Sequence, residues 1–359
     1  MRFDRLRINN LRCLEQIEME PAKAINLLCG PNGSGKTSIL EGFAMAALGR
    51  SFLSNQALDV IRSNTPGLSV KAQLSDPKSG ATATVQVRKL RGETQIEWDG
   101  KPVLAASSLA QRVPLLVINS KATDLLTESP SNRRALVDRT MFHVEPDYVD
   151  CWKRYRQALR QRNELLRHAA APRDFIFWDA QLLESAAIID ARRQRVVEAI
   201  NRRLCEWPLA VGLGGIQVAY TPGWNTDKGF RSHLQENTGR DRSAGFTSIG
   251  AHRADLAVKA AGRSLAKRLS RGQSKLLVVA IIVAIGHFIR SHTAHSPVFL
   301  VDDLHAELDD KMCAEAVDMI LHLDGQTVFT AIRAGDLPER LRQNGELFHV
   351  EHLRNPFPA

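Results

Sequence analysis

The sequence predicts an α/β fold of two lobes, one assembled from both ends of the chain and a helical, arginine-rich one inserted between them. Three observations carry this. Short apolar runs that read as buried strands lie near the front, AINLLC (24–29) and VPLLVI (113–118), and near the back, VFLV (298–301) and TVFTA (327–331). From Asn132 to about Glu206 the chain is helical in pattern and rich in arginine. Finally, 359 residues exceed what one compact core usually holds. The expected boundaries are 1–130 for the front of the first lobe, 131–290 for the insertion and 291–359 for the back of the first lobe.

The elements follow in order. AINLLC ends at a glycine turn, and KTSILEGFAMAAL then places Ile39, Leu40, Phe43, Ala44 and Ala47 at the spacing of a helix packed on a sheet. LSVKAQL (68–74), ATATVQVRKL (81–90) and TQIEWDGKPV (94–103), the last around an Asp-Gly turn, alternate as an antiparallel sheet does. In the insertion, WKRYRQALRQRNELLRH reads as one helix, AAAPRDF as a break and WDAQLLESAAIIDARRQRVVEAINRRLCEW as a second helix. Residues 211–268 return to strands and loops.

Composition narrows the function classes. The chain is 44% hydrophobic and 24% charged, ordinary for a soluble globular protein. Its net charge of +9 favours an anionic partner, nucleic acid above all. The five cysteines form no CxxC, so neither a disulfide framework nor a zinc site is expected. The start, MRFDRLRINNLR, lacks the apolar core of a signal peptide. The run LLVVAIIVAIGHFI (276–289) reads as a buried helix, too short to span a bilayer. A cytoplasmic protein without a membrane partner is expected.

The stretch GPNGSGKT supplies the chemistry. Gly30, Gly35, Lys36 and Thr37 fill the fixed positions of a phosphate-binding loop, with a strand before and a helix after. Glycines let the backbone turn its N–H groups toward phosphate oxygens, and the helix adds the positive end of its dipole. Asn32, Gly33, Ser34 and Ser38 belong to the same cradle. Lys36 is expected to reach the β and γ phosphates of ATP, and Thr37 to offer a hydroxyl to Mg²⁺. VFLVDDLHAELDD delivers Asp302 and Asp303 at a strand's C-terminal end, where α/β sheets hold ligands. Asp302 is assigned to the Mg²⁺ shell and Asp303 to polarising the attacking water. The alternative is that both merely cap the next helix.

A second anion cradle follows from LSRGQ (269–273) and the apolar helix after it, through Ser270, the Gly272 N–H and Gln273. Such a cradle makes sense if it closes on a nucleotide held by another copy, giving an ATP-dependent head-to-tail homodimer. The alternative is a serine that caps a buried helix.

LSRGQ resembles the LSGGQ signature of ABC-type ATPases, and the order of P-loop, signature, VFLVDD and AELDD is the same. More narrowly, INLLCGPNGSGKTSILE, LGRSF (48–52), SPSNRRALVDRTMFHVEP (129–146), WKRYRQALRQRNELLR, GAHRADL (250–256), LSRGQSKLL and VDDLHAELDD resemble the RecF family of bacterial recombination-mediator ATPases. The resemblance implies a Rad50-head-like ABC ATPase lobe of mixed parallel and antiparallel sheets with helices, beside a helical lobe with no long coiled coil. It implies ATP-dependent dimerisation on gapped, single-stranded or double-stranded DNA, weak ATPase activity, and work with RecO and RecR to place RecA. The alternative function is the nucleotide-binding subunit of a membrane transporter.

Some positions depart from the wider ABC pattern. Asp303 stands where Glu is usual, Thr330 sits near the place of the missing switch histidine, and Asn119 or Ser120 is nearest to the missing lobe-linking glutamine. Slow hydrolysis is therefore expected.

For DNA, the candidates are Arg154, Arg156 and Arg160 on one helix, Arg162 and Arg167 beyond them, and Arg192, Arg193, Arg195, Arg202 and Arg203 on another, the alternative being solvated charged faces partly balanced by Glu164 and Glu198; Arg50 in LGRSF is a further one. Without aromatic–basic interleaving, phosphate contacts and little sequence preference are expected. His143 reads as a packed histidine and His252 as either structural or loop-ordering. Arg133 and Arg134 are expected to pair with Asp138, with contact to phosphate as the alternative, and Trp98 and Trp152 to be core or interface residues.

Overall fold

A computed structural model of the chain describes residues 1–353 apart from 55, 57–58, 104–105, 128, 169, 208–213, 266–267 and 294. It divides into two compact units, 1–123 with 270–359, and 124–269. The helix after LSRGQ therefore belongs with the P-loop, not with the insertion as the boundary at 290 had it. The reason is its apolar surface: Gly286 lies so close to Phe299 and Leu323 that a Cβ would come within 3.0 and 2.7 Å of them. Bare aliphatic helix faces go where a sheet can cover them.

The first unit holds two sheets. One is antiparallel, ordered Leu14–Met19, Arg2–Leu11, Gly67–Ser75, Thr82–Leu90, Glu93–Trp98, Lys101–Pro102. The other is parallel, ordered Glu346–His349, Ile25–Cys29, Thr327–Ala331, Val298–Val301, Leu115–Ile118. The helix Lys36–Leu48 is buried in the core they share. Gly42 permits the close approach, since a Cβ would meet Ile8 Cδ1 at 2.3 Å. In Gly67–Ser75 the buried residues are Leu68, Val70, Ala72 and Leu74, the alternation of a half-buried strand. Val298–Val301 is buried throughout, as central parallel strands are. The two N-terminal strands did not figure in the sequence reading. Their alternation is broken: buried Phe3 and Leu6 are three apart because the register shifts between Phe3 and Arg5.

The helix Arg271–Thr293 is long and apolar enough to cross a membrane, but 78% of its apolar window is buried inside the protein. It runs nine residues longer than the apolar stretch of 14 read from the sequence, 23 against 14.

The second unit is built on helices Pro130–Val144, Tyr148–Arg167 and Pro172–Glu206, with a three-stranded sheet of Ile216–Thr221, Asp255–Ala260 and Arg263–Ser264. Pro172 opens the last helix at its first turn, where its missing N–H costs nothing, so AAAPRDF contributes a helix start as well as a break. Two arginines of the charged helices turn inward. Arg162 is fully buried and donates to Asp179 (2.8 Å), Asp241 (2.9 Å) and Thr247 (2.8 Å). Arg193 is bidentate to Asp138 at 2.8 and 2.9 Å. Asp138 is thus taken, and the pairing expected for it is corrected: Arg133 binds Asp255 at 2.8 and 3.0 Å, while Arg134 donates to the Ala254 carbonyl at 2.7 Å. His252 bonds Tyr155 at 2.7 Å and the Thr247 carbonyl at 3.0 Å. Burial holds it well below the usual histidine range, at about 4, so it serves this unit as a neutral hydrogen-bonding group.

Removing Arg162 would leave two carboxylates without their cation inside the unit. Arg162→Leu is expected to cost about 3–5 kcal/mol, read as a lower chemical-denaturation midpoint. A change within about 0.5 kcal/mol, typical of surface sites, would contradict this account of the core.

Candidate functional site

Three strands of the parallel sheet converge at their C-terminal ends. Ile25–Cys29 leads into Gly30 and the loop, Thr327–Ala331 carries Thr330, and Val298–Val301 runs into Asp302 and Asp303. Thr327–Ala331 lies between the other two, so Thr330 stands between the loop and the carboxylates.

The loop geometry needs its glycines. Gly33 and Gly35 have φ of 77° and 105°. At Gly35 a Cβ would also come within 2.5 Å of Leu14 Cδ2. A side chain at Gly30 would reach Ser34 Oγ at 3.0 Å. Among the described residues, the N–H groups of Gly35, Lys36, Thr37 and Ser38 take no backbone partner. Four orphan donors at a helix start suit an anion. Asn32 and Gly33 are exposed, while Ser34 and Ser38 are buried. Lys36 Nζ folds over the loop and donates to the carbonyls of Gly30 (2.6 Å) and Pro31 (3.0 Å).

Thr37 Oγ1 donates to Asp302 Oδ2 at 2.9 Å, across 265 residues of sequence. Thr330 Oγ1 donates to Asp302 Oδ1 at 2.8 Å and accepts from the Asp303 N–H at 2.9 Å. The hydroxyl–carboxylate pair of Thr37 and Asp302 is a hard oxygen donor set that fits Mg²⁺. The register Val301↔Ile118 puts Asn119 beside Asp302 at the sheet edge.

Ser270 and Gln273 form a reciprocal cap on the helix Arg271–Thr293. Gln273 N–H donates to Ser270 Oγ at 3.2 Å, and Ser270 N–H to Gln273 Oε1 at 2.9 Å. Both Ser270 and Arg271 are exposed. Gly272 packs on the Glu307 carbonyl, which a Cβ would meet at 3.0 Å.

Two groups near the site escaped the sequence reading. Glu41, fully buried in the P-loop helix, binds Arg12 and Ser51, tying the segment after Arg50 to that helix. Only a charged residue at a buried helical position could have signalled it. Lys275 is the second: it is buried, donates to the Asp303 carbonyl at 3.0 Å, and lies 3.8 Å from Glu307. Burial lowers its ammonium from the ordinary lysine value, against the opposing charge of Glu307.

Arg50, Arg154, Arg156 and Arg160 are exposed. Arg156 lies over Trp152, 4.7 Å from the ring centroid. The second helix is largely engaged: Arg192 with Asp147 (2.8 Å), Arg195 with Glu145 (2.9 Å) and Arg203 with Glu206 (2.6 Å). Arg167 pairs with Glu164 at 2.6 Å.

The sequence model of the RecF/RecN/SMC N terminal domain family matches residues 2–354. A DNA replication and repair protein RecF from Vibrio parahaemolyticus is 34% identical over 358 residues, 99% of each chain. One from Cellvibrio japonicus is 36% identical over 372 aligned positions, covering all of both chains. A solved structure of the recombination mediator protein RecF with ATP, described in the RecFOR pathway, superposes with a TM-score of 0.84. It is 19% identical and covers 94% of this chain and 93% of that one. An Smc head bound to the C-winged helix domain of ScpA gives a TM-score of 0.57 at 16% identity, covering 93% and 90%. With near-complete coverage by both the family model and these relatives, the chain belongs to the RecF family.

Proposed function

We propose that this protein is an ATP-switched DNA-binding protein of recombinational repair, acting on gapped DNA together with RecO and RecR to load RecA. The observation that carries the nucleotide part is the Thr37–Asp302–Thr330–Asp303 chain of hydrogen bonds beside a loop of orphan N–H donors. The family's curated names carry the repair part.

The chemistry follows from the residues. The N–H groups at the helix start and Lys36 hold the phosphates of ATP. Thr37 and Asp302 would hold Mg²⁺, which offsets phosphate charge when bound. Asp303 orients water toward the γ-phosphorus; the new P–O bond forms as the bond to the β-bridging oxygen breaks, and the water's proton passes to the Asp303 carboxylate, giving ADP and phosphate. Thr330, which donates to the Asp302 carboxylate and accepts from the Asp303 N–H, stands near the place of a switch histidine, and its neutral hydroxyl suits slow turnover and a timing role. Two copies would sandwich ATP between one P-loop and the partner's Ser270–Gln273 turn. Arg154, Arg156, Arg160 and Arg50 supply phosphate contacts on the DNA.

Fluorescence anisotropy on labelled gapped DNA, over a salt series with ATP, ADP or neither, tests the reading. Tight binding with ATP alone, weakening steeply with salt, is expected. Arg154→Ala with Arg160→Ala should flatten the slope of log K against log salt by about 2. Binding indifferent to nucleotide would overturn the switch, and an unchanged slope would move the DNA off this helix.

A further inference from the structure

Asp303 holds an uncommon backbone, φ 53° and ψ 52° in the left-handed region. For a non-glycine residue this persists where surrounding contacts fix it. Three contacts do so. Its N–H donates to Thr330 Oγ1 at 2.9 Å, and its carbonyl accepts from Lys275 Nζ at 3.0 Å and from the Ala306 N–H at 3.3 Å. Thr330 belongs to the site already described; Lys275 does not.

Lys275 is five residues beyond Ser270 on the capped helix, with a side chain 1% exposed. A buried ammonium must have a reason to stay. Its second partner is Glu307 Oε2, at 3.8 Å, an oxygen that is itself buried and makes no hydrogen bond. Glu307 in turn touches the signature turn, since its carbonyl lies against Gly272. Turn, lysine, glutamate and aspartate thus form one packed chain inside one unit.

We propose that Lys275 is a positioning residue for ATP hydrolysis. It fixes Asp303 through its carbonyl and, with Glu307, ties that carboxylate to the turn that receives the partner's nucleotide. The proposal rests on the reading of Asp303 as the water-orienting carboxylate. It gives this fold a route by which closure of the dimer over one nucleotide sets the water-orienting group of the neighbouring site. A displaced helix start moves Lys275, and Lys275 moves the Asp303 backbone. Small misplacements at a reacting centre cost large rate factors.

The test is a double-mutant cycle on the full-length protein with DNA, read by single-turnover ATP hydrolysis and by fluorescent-ATP binding. Lys275→Met keeps the length of the side chain and removes its charge. It is expected to lower kcat about tenfold or more while the KM for ATP stays within about twofold. Asp303→Asn, a residue that also tolerates the left-handed region, removes the carboxylate. In that background Lys275→Met is expected to cost nothing further, because there is no carboxylate left to place. A merely structural lysine would lose the same factor in both backgrounds, and that result overturns the proposal. A slow Asp303→Asn with full-rate Lys275→Met also overturns it, and leaves the function reading intact. Full-rate Asp303→Asn overturns the assignment of Asp303 and this proposal with it. Should Lys275→Met fail to fold, Glu307→Ala carries the test: a fall in kcat of about threefold or more with KM kept supports the proposal, and an unchanged kcat contradicts it.

Discussion

Lys36→Ala is expected to abolish the proposed nucleotide-dependent self-association in sedimentation velocity while leaving a folded monomer. The fold is spared because, among the described residues, Lys36 Nζ donates hydrogen bonds to the loop carbonyls of Gly30 and Pro31 and to no core element. The phosphates lose their one mobile cation in the loop. Hydrogen bonds to charged groups are worth about 1.5–3 kcal/mol each, so affinity falls by roughly one to two orders of magnitude per site. In a head-to-tail dimer two nucleotides bridge the copies, and the loss counts twice. A Lys36→Ala protein that dimerises with ATP as wild type does would place the nucleotide elsewhere.

Ser270→Arg separates binding from assembly. Ser270 lies on the exposed start of its helix, and among the described residues its side chain bonds Gln273 and no P-loop residue. The variant monomer should bind fluorescent ATP within about twofold of wild type, yet form no dimer. Losing the cap costs about 1 kcal/mol, a small part of the stability of a helix with fourteen buried residues. Uncapping could still be blamed for a lost dimer. Ser270→Asp answers this, since aspartate caps as well as serine does and only its charge opposes the triphosphate. Both variants are expected to stay monomeric with ATP. If Ser270→Asp dimerises normally, the turn does not face a nucleotide.

How much could be read beforehand depended on how local the signal was. The P-loop and the Asp302–Asp303 pair were legible because glycines, lysine and carboxylates at fixed spacing have little else to do in such contexts. The buried parallel strands were legible as short apolar runs. The first strand was not, because the register shift between Phe3 and Arg5 interrupts its alternation and Arg5 and Arg7 face outward, and nor was the second, Leu14–Met19, whose buried Leu14 and Ile17 stand three apart. Asp138 was given the wrong partner because nearby Arg133 and Arg134 precede it by a few residues, whereas Arg193 reaches it from 55 residues away. Lys275 was invisible for a related reason. At the border of an apolar run a lysine reads as a solvated edge, and only the fold brings Asp303 and Glu307 to it. The helix following LSRGQ was joined to the insertion by adjacency in sequence, while its apolar surface joined it to the sheet.

In the proposed dimer each active site is shared between a P-loop and the partner's signature turn. Mixing the Lys36→Ala and Ser270→Arg proteins tests this sharing. Each alone lacks every complete site. A mixed dimer pairs the intact loop of the Ser270→Arg copy with the intact turn of the Lys36→Ala copy, restoring one site of two. Steady-state ATP hydrolysis in the DNA-bound mixture should therefore rise well above the sum of the separate proteins, with dimers reappearing in sedimentation. Activity equal to that sum at every mixing ratio would contradict the shared site, and with it the dimer as the switch.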